Sequence, residues 1–319
     1  MNNRSRTRPG ARRRPRRRRF QRALPKTSSA ESPESLLISA LDRRWKEFLR
    51  QRRICQDGFS EPAVHDLRVA IRRLVAALDL LATIAAPEQL STPRHHLKSL
   101  LKRMSQLRDT QVQILAVKKL LPQFRVLEVF STVLLLRERR ERNRVVRRLE
   151  KLRPGGMQQS IFTASRVMEG SMLNPSARIA VRNALQGSLG AAFLRLVRLR
   201  TAIMPSDPAT IHRFRIAFKR FRYATEILLP GTESSHHKAM NDFQTRMGNI
   251  RDLEVLTAHI KAFGLRGPVR QGVRRRVIPS IRLAMIQRRL QRRHYYLVQS
   301  FMRSVDEFHR FYAPVTMTS

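Results

Sequence analysis

Residues 64–81 read VHDLRVAIRRLVAALDLL, and residues 211–228 read IHRFRIAFKRFRYATEIL. When the two segments are aligned with a shift of 147 residues, six pairs are identical: His65/His212, Arg68/Arg215, Ala70/Ala217, Arg73/Arg220, Ala77/Ala224 and Leu81/Leu228. A second pair of segments, KRMSQLRDTQV at 102–112 and TRMGNIRDLEV at 245–255, shares five residues. Two ordered matches at nearly the same separation predict an internal duplication, in which two halves follow one plan.

Each copy of the first segment has the apolar periodicity of an amphipathic α-helix. At about 100° per residue, one apolar stripe runs along each segment. The stripes consist of Val64, Leu67, Ile71, Leu74, Leu78 and Leu81, and of Ile211, Phe214, Phe218, Phe221 and Leu228. These side chains are predicted to face the core of the protein.

Capping residues and prolines divide most of the chain into further helices. Helix starts are predicted at Ser32-Pro33, Ser60-Glu61-Pro62, Thr92-Pro93, Phe124 and Asn174-Pro175, and near residues 209 and 234. A last helical stretch runs to about Tyr312 and is expected to be kinked or broken at Pro279. Alternation typical of strands is nearly absent, so the expected fold is all-α with two similar halves.

Two segments lack a long helical period. Residues 153–175, RPGGMQQSIFTASRVMEGSMLNP, are predicted to connect the halves, and GLRGPVRQG at 264–272 is predicted to be a loop. The resulting organisation is an Arg-rich arm at about 1–30, a first half at about 31–153, a connection at about 154–174 and a second half at about 175–312.

The chain is strongly basic, with 65 Lys and Arg against 23 Asp and Glu and a formal charge of +42. Residues 1–26 hold eleven Arg and one Lys without an acid, and their prolines and self-repulsion predict a disordered arm. Removing these twelve charges from the total of +42 leaves about +30 on the remainder of the chain. The partner is therefore expected to be a polyanion or an anionic surface.

Signals for a cellular compartment are few. The residues after the arginine run are polar and helix-breaking, so no export signal with an apolar core is recognised, and no apolar run is long enough to span a membrane. The single Cys55 excludes an intrachain disulfide and is expected to be a partly buried apolar residue. A cytoplasmic location is expected.

A line of cations lies beside each apolar stripe. In the first segment, His65 is followed by Arg68 and Arg72 at i+3 and i+7, and the second segment repeats this with His212, Arg215, Lys219 and Arg222. A solvated basic face is the usual outcome of such a run. The first segment, however, holds only Asp66 and Asp79 as acids, both pointing away from the core-facing side, and unpaired like charges at this spacing repel. An external anion that neutralises both lines explains the pattern better.

The pattern H-x-x-R-[VI]-x-x-[RK]-R, followed after a helix break by [LI]-R-D-x-x-V, occurs in both halves and resembles the CHAD family, the conserved histidine α-helical domain. The resemblance covers about residues 34–312. It implies two pseudo-repeated four-helix-bundle-like halves packed around a central basic cavity. It also implies binding of inorganic polyphosphate without a cofactor, and association with polyphosphate granules is a corresponding expectation.

The resemblance places polyphosphate-binding residues on the duplicated segments. The first segments supply His65, Arg68, Arg72, Arg73, His212, Arg215, Lys219, Arg220 and Arg222. Cations in and beside the second segments are expected to extend this surface: Lys98, Lys102, Arg103, Arg108, Arg246 and Arg251. The family usually has a basic residue where this chain has Val75, so the first half is expected to grip the ligand less tightly. Each histidine either donates a hydrogen bond to phosphate or orients its neighbours, and both roles stay open.

No catalytic constellation accompanies these residues. The sequence contains no H-E-x-x-H, C-x-x-C, P-loop or G-x-G-x-x-G motif, and no metal site is expected at its two His-His pairs. Asp109 and Asp252 are expected to form local salt bridges that orient Arg108 and Arg251. The chain is therefore interpreted as a binding module and not as an enzyme.

Two other functional classes stay open. A nucleic-acid binder is favoured by the Arg-rich arm, which offers a secondary nucleic-acid contact, but aromatic content is only 6% and no known DNA-binding or RNA-stacking motif is present. An accessory factor of a polyphosphate-metabolising enzyme is the other class. Composition and motifs leave the oligomeric state and the preferred polyphosphate chain length undetermined.

Overall fold

Capping residues determine where several helices begin. The side chains of Ser32, Ser60, Asn174 and Asp207 each accept a hydrogen bond from a backbone N–H of the following turn, and each is followed by a proline in the first turn. These caps satisfy donors that would otherwise lack partners at a helix start. The helix starts predicted at Ser32, Ser60 and Asn174 and near residue 209 are confirmed.

The computed structural model describes residues 32–85, 87–230, 234–266 and 279–312, and within these ranges it contains nine α-helices, two short 3-10 helices and no strand. The α-helices are α1 Pro33–Gln56, α2 Glu61–Leu81, α3 Pro87–Leu120, α4 Glu128–Glu150, α5 Pro154–Ser171, α6 Pro175–Thr201, α7 Pro208–Leu228, α8 Ser234–Arg266 and α9 Ser280–Ser304. The 3-10 helices are Arg125–Leu127 and Val305–Phe311. The predicted all-α fold class is confirmed.

Two helix boundaries differ from the prediction. Helix α3 begins at Pro87, ahead of the Thr92-Pro93 start, because Leu90 is fully buried and its packing holds a helical turn in front of Pro93. Helix α8 runs to Arg266, so the first three residues of the predicted loop at 264–272 are helical. The rest of that loop and the Arg-rich arm at 1–30 lie outside the described residues.

The segment between the predicted halves contains a helix that the sequence interpretation missed. Helix α5 buries Met157, Ile161, Ala164 and Met168, which lie at the i, i+4, i+7 and i+11 spacing of a helical stripe. It packs on α3 and α2. The helix was not predicted because the Gly-Gly pair and the polar residues around this stripe weaken the helical pattern.

The predicted core stripes of α2 and α7 are buried. The six apolar positions on α2 have no exposed surface, and the five on α7 are at most 7% exposed. Around α7 the core is aromatic, with Phe214, Phe218 and Phe221 packed on Phe243, Phe301 and Phe308 or on one another. Cys55 is also buried, as expected.

The order of packing brings the duplicated segments together. Helices α1 to α4 pack consecutively in the first part of the chain, and α6 to α9 do so in the second. Between these groups, α2 packs on α7 and α3 packs on α8. The helices that carry equivalent sequence segments are therefore in contact. None of the described helices has an apolar stretch of the length needed to cross a bilayer.

Candidate functional site

The cationic lines of α2 and α7 meet, although 147 residues separate them in the chain. Arg72, Arg215 and Arg68 all lie near enough to Lys219 to lower the pKa of its amine electrostatically. The motif cluster is defined here as His65, Arg68 and Arg72 on α2 with His212, Arg215 and Lys219 on α7. Because the apolar stripe beside each line enters the core, packing of the two helices forces these cations toward one another.

Lys219 is the cation whose ionisation the cluster perturbs most. Burial, followed by the charges of Arg72 and Arg215, lowers the pKa of Lys219 from 10.5 to about 6. Its amine is therefore largely uncharged at neutral pH when no anion is bound. An anion placed in the cluster would favour the ammonium form and raise this pKa.

Arg68 is buried and held in a defined direction. It is 6% exposed, and its Nη1 donates a hydrogen bond of 2.7 Å to Ser105 Oγ on α3. Ser105 in turn donates to the Leu101 carbonyl at 2.8 Å. Burial and the neighbouring Arg72 lower the pKa of Arg68 to about 9, so its guanidinium remains charged at neutral pH.

Arg215 occupies the equivalent place in the second half but has less support. Position 248 on α8 corresponds to Ser105 in the duplicated segment and is a glycine, and a Cβ there would lie 3.7 Å from Arg215 Nη2. No hydroxyl receives Arg215, and its Nε is buried without a hydrogen-bond partner. His212 Nδ1 is buried and unpartnered as well. Buried donors normally have an acceptor, so this side of the motif cluster has capacity for one.

Two aspartates border the motif cluster. Desolvation raises the pKa of Asp252 against the opposing effect of Arg215, and the nearby Asp109 carboxylate adds to the rise. The expectation that Asp109 and Asp252 pair with Arg108 and Arg251 is wrong, since these arginines form ion pairs with Glu61 and Glu254 instead. The aspartates act electrostatically on Arg68 and Arg215.

Two of the predicted polyphosphate-binding residues, Arg73 and Arg222, belong to a separate cluster of ion pairs. The Glu226 carboxylate, whose side chain is 8% exposed, is contacted by Arg44 at 3.4 Å, Arg73 at 3.0 Å and Arg222 at 2.6 Å. Arg222 also donates to Gln244 at 3.1 Å and lies over the Tyr223 ring. The Glu226 cluster joins α1, α2 and α7, and it gives Arg73 and Arg222 an internal anion.

The predicted cations on α3 and α8 lie mostly on the surface. Four of them have acidic partners: Lys98 with Asp79 at 3.3 Å, Arg108 with Glu61, Arg246 with Glu307 at 3.0 Å and Arg251 with Glu254 at 3.2 Å. Lys102, Arg103 and Arg220 are exposed and form no ion pair within the described part of the chain. The fifteen predicted residues thus separate into the motif cluster, the Glu226 cluster and a solvated periphery. Within the motif cluster Arg68 is buried, His65 is exposed and the other four residues are half-buried.

Sequence reasoning missed several residues that shape this region. Arg44 lies outside the duplicated segments, and Tyr223 lies within the second one at a position where the first has Ala76, so neither carries a sequence signal for a role here. Glu226 follows Arg222 by four residues, which is the spacing of a helical ion pair and was available as a clue. Ser105 and Gly248 are equivalent positions in the duplicated segment. Ser105 accepts a hydrogen bond from Arg68, whereas Gly248 offers Arg215 no side-chain acceptor, and this difference is visible only in the folded structure.

A cleft of about 330 Å³ lies between α3, α4 and α8. Its polar lining is Gln106, Asp109, Arg137, Arg251, Glu254 and His259, so it carries both signs of charge. His259 shares a hydrogen bond of 2.6 Å with Gln113. Within the described residues, no three His, Cys, Asp or Glu side chains are grouped as metal ligands.

Comparisons with known proteins agree with this helical arrangement. A family model described as CHAD domain matches residues 39–261, which are 223 of the 319 residues. The crystal structure of the CHAD domain from the plant Ricinus communis has a TM-score of 0.55 at 16% sequence identity and covers 89% of this chain and 92% of its own. For PptA from Streptomyces chartreusis the TM-score is 0.52 at 16% identity, with 86% and 98% covered. A search of proteins with curated descriptions gave no match.

Proposed function

The chain belongs to the CHAD domain family, and from this membership together with the motif cluster we propose that it binds inorganic polyphosphate without transforming it chemically. The proposal extends to association with polyphosphate granules in the cytoplasm. The ligand would lie along the junction of α2 and α7, with cations of both helices acting on one chain of phosphates.

The observation that carries the proposal is a group of basic side chains, Arg68 buried and Arg215 and Lys219 half-buried, that form no ion pair within the described residues. Burial is the largest cause of the lowered pKa of Arg68, Arg215 and Lys219. Arg72, Arg215 and Arg68 lower the pKa of Lys219 further, and Asp252, the acid within electrostatic range of Lys219, is not ion-paired with it. Burying unpaired charge is costly, so a solvated structural role does not explain this arrangement. The contrast is with Arg73 and Arg222, which the Glu226 carboxylate compensates. An anion from outside the chain would compensate the motif cluster in the same way.

The chemistry of the cluster suits a linear polyanion. Guanidinium groups present planar forks to phosphate oxygens, and a lysine ammonium supplies a compact charge. Polyphosphate has no bases, so recognition requires cations along a path and no further reading of the ligand. Arg215 Nε, which has no acceptor in the described structure, is the donor best placed to gain a partner from it, and His212 Nδ1 would be a second donor in the tautomer that carries the proton there.

The experiment compares two double variants of equal charge. Arg215→Ala/Lys219→Ala removes two motif cations, whereas Arg140→Ala/Arg147→Ala removes two exposed cations of α4 that form no ion pair within the described residues. Arg144 is unsuitable for the control because it pairs with the buried Glu141 at 2.8 Å. Affinity for long-chain polyphosphate would be measured by titration calorimetry at several salt concentrations, with RNA and DNA as competitors.

The motif variant is expected to weaken binding by at least about 10-fold at pH 7, since each charge-assisted contact is worth about 1.5 to 3 kcal/mol and the Lys219 amine must first take up a proton. Its dependence on salt should also become shallower, because fewer counterions are released when fewer phosphates are neutralised. The α4 control should change affinity by about 3-fold or less, since distant exposed charges are screened. Equal losses in the two variants, with helical content intact, would contradict binding at the motif cluster.

A further inference from the structure

Helix α9 has an outer face that neither the core nor the motif cluster uses. Its inner side packs through Leu283, Ile286 and Leu290. Exposed side chains recur on the opposite side at helical spacing, in the order of a methionine, three arginines and two tyrosines. The α9 outer face is defined as Met285, Arg288, Arg289, Arg292, Tyr295 and Tyr296.

The positive charge of this face has no internal compensation. Helix α9 contains no Asp or Glu between Ser280 and Ser304. Within the described residues, the one ion pair made by α9 joins His294, on the inner side, to Glu254 of α8 at 3.3 Å. Arg288, Arg289 and Arg292 are exposed on successive turns, where like charges repel. The face is therefore complementary to an anionic chain.

The two tyrosines set this face apart from an ordinary basic surface. Tyr295 is 68% exposed and Tyr296 is 66% exposed, and neither ring contacts another ring within the described residues. They follow the arginines on the same side of the helix, because Arg292 precedes them by three and four residues. Planar rings held in water beside guanidinium groups offer stacking surfaces next to cations.

We propose that the α9 outer face binds single-stranded nucleic acid, with arginines on the phosphates and Tyr295 and Tyr296 stacked on bases. From Met285 to Tyr296 the helix rises about 17 Å, which is the length of about five stacked nucleotides. A second copy of the chain fits less well, because its own arginines would meet these. A bilayer fits less well too, because arginines occupy the centre of the face. Polyphosphate would leave both rings unused.

The test uses the full chain and a fluorescein-labelled ten-nucleotide uridine RNA, with anisotropy measured at about 150 mM salt. Tyr295→Ala/Tyr296→Ala keeps every charge and should weaken RNA binding by about 10-fold or more, since each base stacked on an aromatic ring adds to the binding affinity. Tyr295→Phe/Tyr296→Phe keeps the rings and should restore affinity. Phe162→Ala is the matched control, because Phe162 is 56% exposed on α5 and has Arg166 beside its ring, yet lies outside this face.

Polyphosphate provides the second arm of the test, because it carries charge but no base. The alanine double variant should bind polyphosphate as the unchanged protein does, within about 2-fold. Photocrosslinking of a bromouridine-substituted RNA should label peptides of α9 as well as any bound by the Arg-rich arm. Unchanged RNA affinity in the alanine variant, an equal loss in Phe162→Ala, or an equal loss of polyphosphate affinity would overturn the proposal.

Discussion

Replacing Lys219 by methionine should make the protein more stable and a weaker binder at the same time. Methionine has a similar length and no charge, so the substitution removes the cation that burial and Arg72 disfavour most. The folded chain holds this amine with a pKa of about 6, whereas its ordinary value is 10.5. Between these values the unfolded chain keeps the proton that the folded chain releases, so stability without ligand rises with pH across this window.

The size of the gain follows from the same shift. Each pH unit corresponds to about 1.4 kcal/mol, and pH 7 lies 3.5 units below 10.5, which sets an upper limit of about 5 kcal/mol for the cost of Lys219. Solvent screening at this partly exposed side chain reduces the expected gain to about 2 kcal/mol, or about 4 °C in Tm. The gain should be largest below pH 6 and vanish near pH 10.

Binding should change in the opposite direction. A lysine contact to phosphate is worth about 1.5 to 3 kcal/mol, but at pH 7 the amine must first take up a proton at a cost of about 1.4 kcal/mol. Lys219→Met should therefore weaken polyphosphate affinity by no more than about 15-fold at pH 7 and by about 6- to 80-fold at pH 6.

Thermal unfolding without ligand, together with calorimetric titration of polyphosphate at both pH values, measures the two effects. Lys118→Met, at an exposed lysine of α3, is the control and should change neither quantity appreciably. A lower Tm for Lys219→Met would show that the amine is not an uncompensated buried cation. Unchanged affinity at pH 6 would place Lys219 outside the binding surface.

Three further outcomes are expected. Polyphosphate affinity of the unchanged protein should fall as pH rises from 6 to 8, by up to about 10-fold per unit, and Lys219→Arg should flatten this dependence in calorimetric titrations; parallel slopes would disprove the linkage. Glu226→Gln should lower the free energy of unfolding in urea by about 3 to 5 kcal/mol, because three arginines lose their buried counter-charge, and a loss below about 1 kcal/mol would contradict that role. Removing residues 1–26 should leave polyphosphate affinity at physiological salt within about 3-fold, measured by anisotropy; near-complete loss would assign binding to the arm.

Much of the fold was readable from local sequence. Caps at Ser32, Ser60, Asn174 and Asp207 mark helix starts because unsatisfied backbone donors need nearby acceptors, and this requirement is local. Helix α5 was not predicted, because its apolar stripe from Met157 to Met168 has only four residues and the positions between them are mostly polar or small. The division into two pseudo-repeated halves around a central cavity stays a prediction.

For the candidate site, the sequence predicted which basic residues are involved but not which of them are paired with acids. The helical spacing within each duplicated segment predicted the cations of the motif cluster, because a row of like charges beside an apolar stripe can be recognised on a single helix. It did not distinguish Lys219, which has no acid paired with it, from Arg222, which lies one turn further along and donates to Glu226 at 2.6 Å. Both occupy the same cationic line in the sequence.

Local sequence was sufficient for the all-α class and for most helix starts, because capping and apolar periodicity act within a few residues. Tertiary structure alone decided which cations are compensated. Acids from other helices reach Lys98, Arg108 and Arg246, and Glu226 gathers arginines from three helices. Electrostatic energy depends on distance in space and on burial, and neither follows from separation along the chain.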